Sequence, residues 1–291
     1  MVLRARVIWQ DSLLSITYDR ASSAPTISHH RPFRPSDVVG ACYIECMQQL
    51  CKIALDIVRE RTTSLGVHRD LLRIEERRQE ILEVASRASQ HLRDASACRS
   101  MKDHLEHWNW YMHRSYVMSE LCRQSLRSNG QGSDLIAIIK ATCIDALADT
   151  VDAFLSLQNL TVFAKQSWAA LHRSLSSALL LGILKEPARN PRVRLLLERL
   201  ISVMSSFTST VDPSEMSAPI TRAISAITKL NSIGATRRRS GSLASEPSFS
   251  EGLQLSNISS PLVDSADRSD NESPHALMSR ILWGSRGHSL S

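Results

Sequence analysis

The chain has 291 residues, 43% of them hydrophobic and only 5% aromatic, and a formal net charge of +6. That length allows one large domain or two ordinary ones with a sizeable core. The scarcity of strand-favouring residues beside Leu, Ala, Ser and Arg argues against an all-β protein, and ten Gly and ten Pro exclude a fibrous or wholly disordered chain.

Residues 1–20 read as a short amphipathic helix, with Leu3, Val7, Ile8 and Leu14 as its stripe. The loop that follows carries Pro25, Pro32 and Pro35, which exclude a helix there. Ser36 reads as the N-cap of a long helix to about Ser64, with Val39, Cys42, Cys46, Leu50, Ile53 and Ile57 on one face. The next helix spans about Arg69 to Leu92 on an apolar face of Leu71, Ile74, Ile81, Leu82 and Ala85. A helix from about Met101 to Ser128 buries Leu105, Trp108, Met112, Tyr116, Cys122 and Leu126, and Asn129-Gly130 ends it. Two helices apolar on nearly every turn, about Ser133 to Leu157 and Thr161 to Leu184, suit a central position. Pro191 opens another helix to Phe207, and a last one spans roughly Ala218 to Asn231.

Composition changes at Ser232. The Ser- and Asp-rich residues 232–273 are expected to be a disordered linker, and 274–291 to hold a short amphipathic helix and tail. In that helix Leu277, Ile281 and either Met278 or Leu282 form one apolar face. Residues 1–231 form the helical region. They also hold the basic surplus, because six arginines balance six acidic residues in 232–291. The surplus is spread over helical faces, which reads as a solvated surface and not as a nucleic-acid patch.

No window approaches the roughly 18 consecutive apolar residues of a membrane span. The opening MVLRARVIWQDS has no secretory cleavage site, so the six cysteines are expected to be reduced thiols. Cys42, Cys46 and Cys51 lack the Cys-x2-Cys spacing of thiolate metal sites, and core packing is the expected role, with Cys42, Cys46 and Cys143 inaccessible. His104, His107 and His113 share a helix, but neither H-E-x-x-H nor a third ligand accompanies them. No phosphate-loop, dinucleotide or nucleophile-elbow motif is present, so neither an enzyme nor a bound cofactor is expected. In the tail, Arg237, Arg238 and Arg239 precede Ser240 and Ser242. Three readings of that run stay open. It is a basophilic phosphorylation site, a nuclear-import or phosphate-contacting element, or a solvated charged patch.

Several segments together resemble one family. The run from Trp168 to Leu184 followed by Pro191 to Leu200, the run from His91 to Arg99 followed by Leu105 to Trp108, and the ending from Ser273 to Gly284 are similar to the C-terminal part of fungal binuclear zinc-cluster transcription factors. Trp9, Asp11, Ser12 and Arg20 match, in order, the residues that close that family's central regulatory region. Ala21 stands where the family usually has Pro. The resemblance implies an all-α, irregular helical bundle and a role in transcription regulation in the fungal nucleus. The family's DNA-binding module needs six closely spaced cysteines around two zinc ions, and none of the cysteines here fits it.

The chain is therefore expected to be the C-terminal half of such a regulator, from a truncated gene model or a product that lost its N-terminus. By resemblance it is an effector-response or partner-binding scaffold, with zinc and DNA contacts confined to the missing module. Its partners would be transcription-machinery proteins or a self-associating copy, without a membrane, and its effector is not read from the sequence. The alternative is an autonomous helical interaction module with no transcriptional role, nuclear or cytoplasmic.

Overall fold

The computed structural model describes residues 2–22, 40–61, 67–127, 134–161, 164, 167–208, 218–240 and 274–283. The described residues form eleven α-helices, two short 3-10 turns and no strand, so the protein is all-α. Contacts divide the chain into two compact units, residues 1–174 and 175–291. The boundary falls inside a helix, whereas the sequence reads residues 1–231 as a single helical region.

The first unit begins with α1 (Val2–Tyr18), which packs on α2 (Tyr43–Arg61). The face α1 buries is Ser12, Leu13, Ser15 and Ile16; of the expected stripe, Val7 is 50% exposed and Leu14 is half-buried. Side chains of Leu3 and Ile8 lie outside the described residues. Two serines lie on that buried face, and Ser12 reaches the Cys51 thiol.

Ser36 lies outside the described residues, and α2 starts only at Tyr43. Gly40 has φ +118, a conformation L side chains rarely adopt. Its N–H and that of Ala41 both donate to the Arg87 carbonyl, at 3.0 and 2.9 Å, while Ser89 N–H donates to Ala41. This pairing holds residues 40 and 41 extended. Cys42 then sits before the helix, its N–H donating to Glu45 Oε2 at 2.9 Å, as in half of a capping box.

That same strap ends α3 (Val67–Arg87), and the short α4 (Gln90–Arg93) follows it. Ile74, Ile81 and Ala85 of α3 are buried as expected, but Leu82 is 42% exposed. Next, α5 (Met101–Cys122) opens with a complete capping box. Ser100 Oγ accepts from Asp103 N–H, and the Asp103 carboxylate accepts from Ser100 N–H. The most extensive helix pairing is α5 against α6 (Asp134–Leu160). Trp110, Val117, Val151 and Phe154 are fully buried within that pair of helices.

α7 (Trp168–Ile183) starts in the first unit and ends in the second. In the second unit follow α8 (Glu186–Arg189), α9 (Pro191–Thr208), α10 (Ala218–Ser240) and α11 (Pro274–Trp283). Gly182 lets α10 approach closely: a Cβ there would lie 3.0 and 3.2 Å from Leu230 carbons. The terminal helix docks on α10 through buried Met278 and Leu282, while Leu277 and Ile281 are half-buried. Arg222 of α10 donates to the free carbonyls of Ile281 and Leu282, at 3.1 and 2.7 Å.

The helix α10 runs nine residues beyond the expected end at Asn231, to Ser240. Arginines are good helix formers and suit the C-terminal end of the helix dipole. Residues 241–273, and the disorder expected of them, lie outside the described residues.

Candidate functional site

Five segments of the first unit surround a half-open cavity of about 750 Å³: α1, the start of α2, the middle of α5, the end of α6 and the start of α7. Leu13, Met47, Met112, Leu157 and Ala170, all buried, form its apolar floor. Gln10, Tyr43, Asn109, His113, Ser167 and Arg173 supply its polar groups. Trp168, 41% exposed, stands at the rim. Its ring stacks on His172 at 5.0 Å and faces Tyr18 at 6.4 Å.

Among the described residues lining the cavity, Arg173 carries the formal charge. Its side chain is 5% exposed. One Nη1 proton points at His113 Nδ1, 3.0 Å away. A guanidinium has no acceptor, so Nδ1 accepts and the His113 proton sits on Nε2. Burial first, and then the Arg173 charge, hold His113 well below its ordinary range, so it is neutral at pH 7. Arg173 also lies over the Tyr116 ring at 5.4 Å. Burial pushes the Tyr43 phenol well up, so it remains a neutral donor. Among the described residues lining the cavity, none is Asp or Glu.

Beside it, four charged side chains clamp the C-terminal ends of α1, α2 and α5. Arg61 reaches Asp19 at 2.9 Å and Glu120 at 3.7 Å, and Arg123 reaches the same two carboxylates at 2.7 Å each. The side chains of Arg61, Glu120 and Arg123 are 8–10% exposed, while that of Asp19 is 47% exposed. Asp19 takes a left-handed backbone, φ 53, to turn the chain out of α1. This constellation is structural: alternating charges satisfy each other and close the helix ends. A smaller pocket of about 290 Å³ next to it is lined by both signs of charge, Glu60 and Asp70 with Arg61 and Arg73.

Trp9, Asp11, Ser12 and Arg20, the positions on which the expected resemblance rests, lie on or just after α1. Trp9 lines the cavity, meets Tyr43 edge-on at 6.2 Å, and leaves its indole Nε1–H buried without an acceptor among the described residues. Asp11 pairs with Arg20 at 3.7 Å and accepts from Ser22. Ser12 is fully buried against Cys51. The runs around His91 and Glu106 also meet. His91 Nε2 lies 3.2 Å from Glu106 Oε2, and His107 Nδ1–H donates to the His91 carbonyl at 2.8 Å.

The cysteines divide differently from the expectation. Cys46, Cys51, Cys122 and Cys143 are buried and Cys98 half-buried, but Cys42 is exposed because the strap at Gly40 keeps it out of the helix. Burial pushes the Cys46, Cys51 and Cys122 thiols up to about 12 and Cys143 well up. Among the described residues no group of three or more His, Cys, Asp or Glu is placed to hold a metal ion. His104 is half-buried and His107 buried. No described helix is long and apolar enough to cross a membrane.

Ser240 is the last residue of α10, and the backbone of Arg237, Arg238 and Arg239 belongs to its final turns. A kinase that reads an extended peptide would first have to open that end. Ser242 lies outside the described residues. Arg173, the charge in the cavity, carried no sequence signal of its own. It stands within an apolar run, and only the Trp168-x3-His172-Arg173 grouping on one helix hinted at it.

The chain matches no family model, and neither a curated protein nor a solved structure is similar to it. What the fold and the cavity define is an all-α protein with a half-open, mainly apolar cavity whose wall carries the buried cation Arg173.

Proposed function

We propose that the chain is a segment of a fungal transcription regulator, a helical effector-response or partner-binding scaffold that controls a DNA-binding module carried elsewhere. In this reading it acts in the nucleus, engages transcription-machinery proteins or a second copy of itself, and catalyses no reaction. Zinc belongs to the separate module. The observation that carries the reading is the set of family-like positions. Trp9, Asp11, Ser12 and Arg20 keep that family's order, and they run from the middle of α1 to just past its end, with Trp9 lining the cavity. A scaffold that responds to an effector needs such a cavity next to a helix whose position it can bias.

The test is to tether the full chain to a heterologous DNA-binding domain upstream of a reporter, and to map the native chain on chromatin. The reading expects promoter enrichment and altered reporter output. A chain found at no promoter and without effect on the reporter refutes it. An in-frame exon rich in Cys-x2-Cys just upstream of Met1 would support it from the genomic side.

A further inference from the structure

We propose that the 750 Å³ cavity binds a small amphipathic organic acid, its apolar body on the Leu13, Met47, Met112, Leu157 and Ala170 floor and its carboxylate received by Arg173. The inference deepens the reading above by naming the chemical class of the effector. It stands on the geometry of one unit only.

Size comes first. Ligand cavities run from about 300 to 1,000 Å³, are mostly apolar, and carry a few placed polar groups. This one has that make-up, and two methionines on its floor adapt to an irregular body. Charge selects the headgroup. The described lining holds one guanidinium, a neutral imidazole and no carboxylate, so the wall favours an anion and disfavours a cation. A fork of N–H donors matches a carboxylate's two oxygens. Orientation is already set, because the Arg173 contact to His113 Nδ1 and its seat over Tyr116 hold the guanidinium from two sides. A group held before binding loses little freedom on binding. Asn109 is steadied as well, its Nδ2 donating to the Leu105 carbonyl at 2.8 Å. The Trp168 and His172 stack forms a flat rim past which an unbranched or planar apolar chain can slide.

The probes are decanoate, decanol and decylamine, titrated calorimetrically into the purified full chain below their aggregation limits. Decanoate is expected to bind one to one and at least about tenfold more tightly than decanol, the worth of one hydrogen bond to a charged group. Decylamine is expected to bind more weakly than either. Equal or tighter binding of decanol, or no uptake of decanoate, overturns the proposal. Ala169→Trp at the half-buried rim fills the mouth and is expected to weaken decanoate at least tenfold. Unchanged affinity there puts the ligand elsewhere and also overturns it. Arg173→Met, where circular dichroism shows it folded, should bind decanoate no better than decanol, and a retained preference refutes the role of Arg173. If that variant does not fold, the wild-type series and Ala169→Trp decide the matter. None of these readouts involves a promoter, so the ligand and the regulatory role can fail separately.

Discussion

Replacing Glu120 by Gln removes one negative charge from the clamp at the ends of α1, α2 and α5 and changes little else in shape. Two arginines with side chains 8% and 10% exposed would then keep Asp19 as the carboxylate they share in the clamp. Removing one partner of a buried ion pair costs about 3–5 kcal/mol, because the remaining charge stays desolvated. Each arginine here keeps a second carboxylate, so the lower end, about 3 kcal/mol, is expected. Asp19→Asn is the matched control. Its side chain is 47% exposed, so water screens what is lost, and about 1 kcal/mol is expected. Asn also tolerates the left-handed φ of 53, so the backbone turn survives. The double variant leaves both arginines without either carboxylate, and its cost should exceed the sum of the singles. Urea unfolding followed by tryptophan fluorescence is suited to this, since four of the five tryptophans, Trp9, Trp108, Trp110 and Trp168, lie in the first unit. High salt should shrink the Asp19→Asn effect and leave that of Glu120→Gln nearly unchanged. A Glu120→Gln loss below about 0.5 kcal/mol, or one smaller than that of Asp19→Asn, would refute the account of a buried clamp.

Thiol labelling under native conditions should show one fast cysteine, Cys42, then Cys98, with Cys46, Cys51, Cys122 and Cys143 reacting only as the fold opens; labelling of Cys143 as fast as Cys42 contradicts the burial. Gly182→Ala gains about 1 kcal/mol of helix propensity but drives a methyl to 3.2 Å from the Leu230 Cβ, which cannot swing aside. The net change in denaturation midpoint should be destabilising by about 1 kcal/mol, and a stabilised variant would show that α7 and α10 are further apart. Stability should fall as pH drops from about 6.5 towards 4. Burial and Arg173 lower His172 to about 4, burial and the Arg173 charge hold His113 well below its ordinary range, and burial also lowers His107. Their unfolded forms take up protons below about pH 6.5, so the unfolded state binds more protons in that window, at up to about 1.4 kcal/mol per pH unit for each histidine. Urea midpoints at pH 7, 6 and 5 that stay level would count against neutral buried imidazoles, and His172→Gln should make the slope shallower.

The helix content was legible in residue spacing alone. Apolar positions recurring every three or four residues from Cys46 to Ile57, and near-continuous apolar runs in α6 and α7, have no stable solution but buried helices. The terminal helix was legible for the same reason, although the face read from spacing centred on Leu277 and Ile281, which are half-buried, while Met278 and Leu282 are buried. The start of α2 was not, because a positive φ at Gly40 and a bridge from Ala41 to Ala88 link positions 47 residues apart, and no local pattern encodes that pairing. On α1 the sequence pattern missed the buried Ser12 and Ser15, because serines score as polar, and overvalued the exposed Val7. The clamp joins Asp19, Arg61, Glu120 and Arg123, and the cavity joins Trp9 to Arg173, across most of the first unit. Residue types set the chemistry each side chain can do. Which of them meet, and how far from water, is a property of helix packing, and charge acquires its consequences only there.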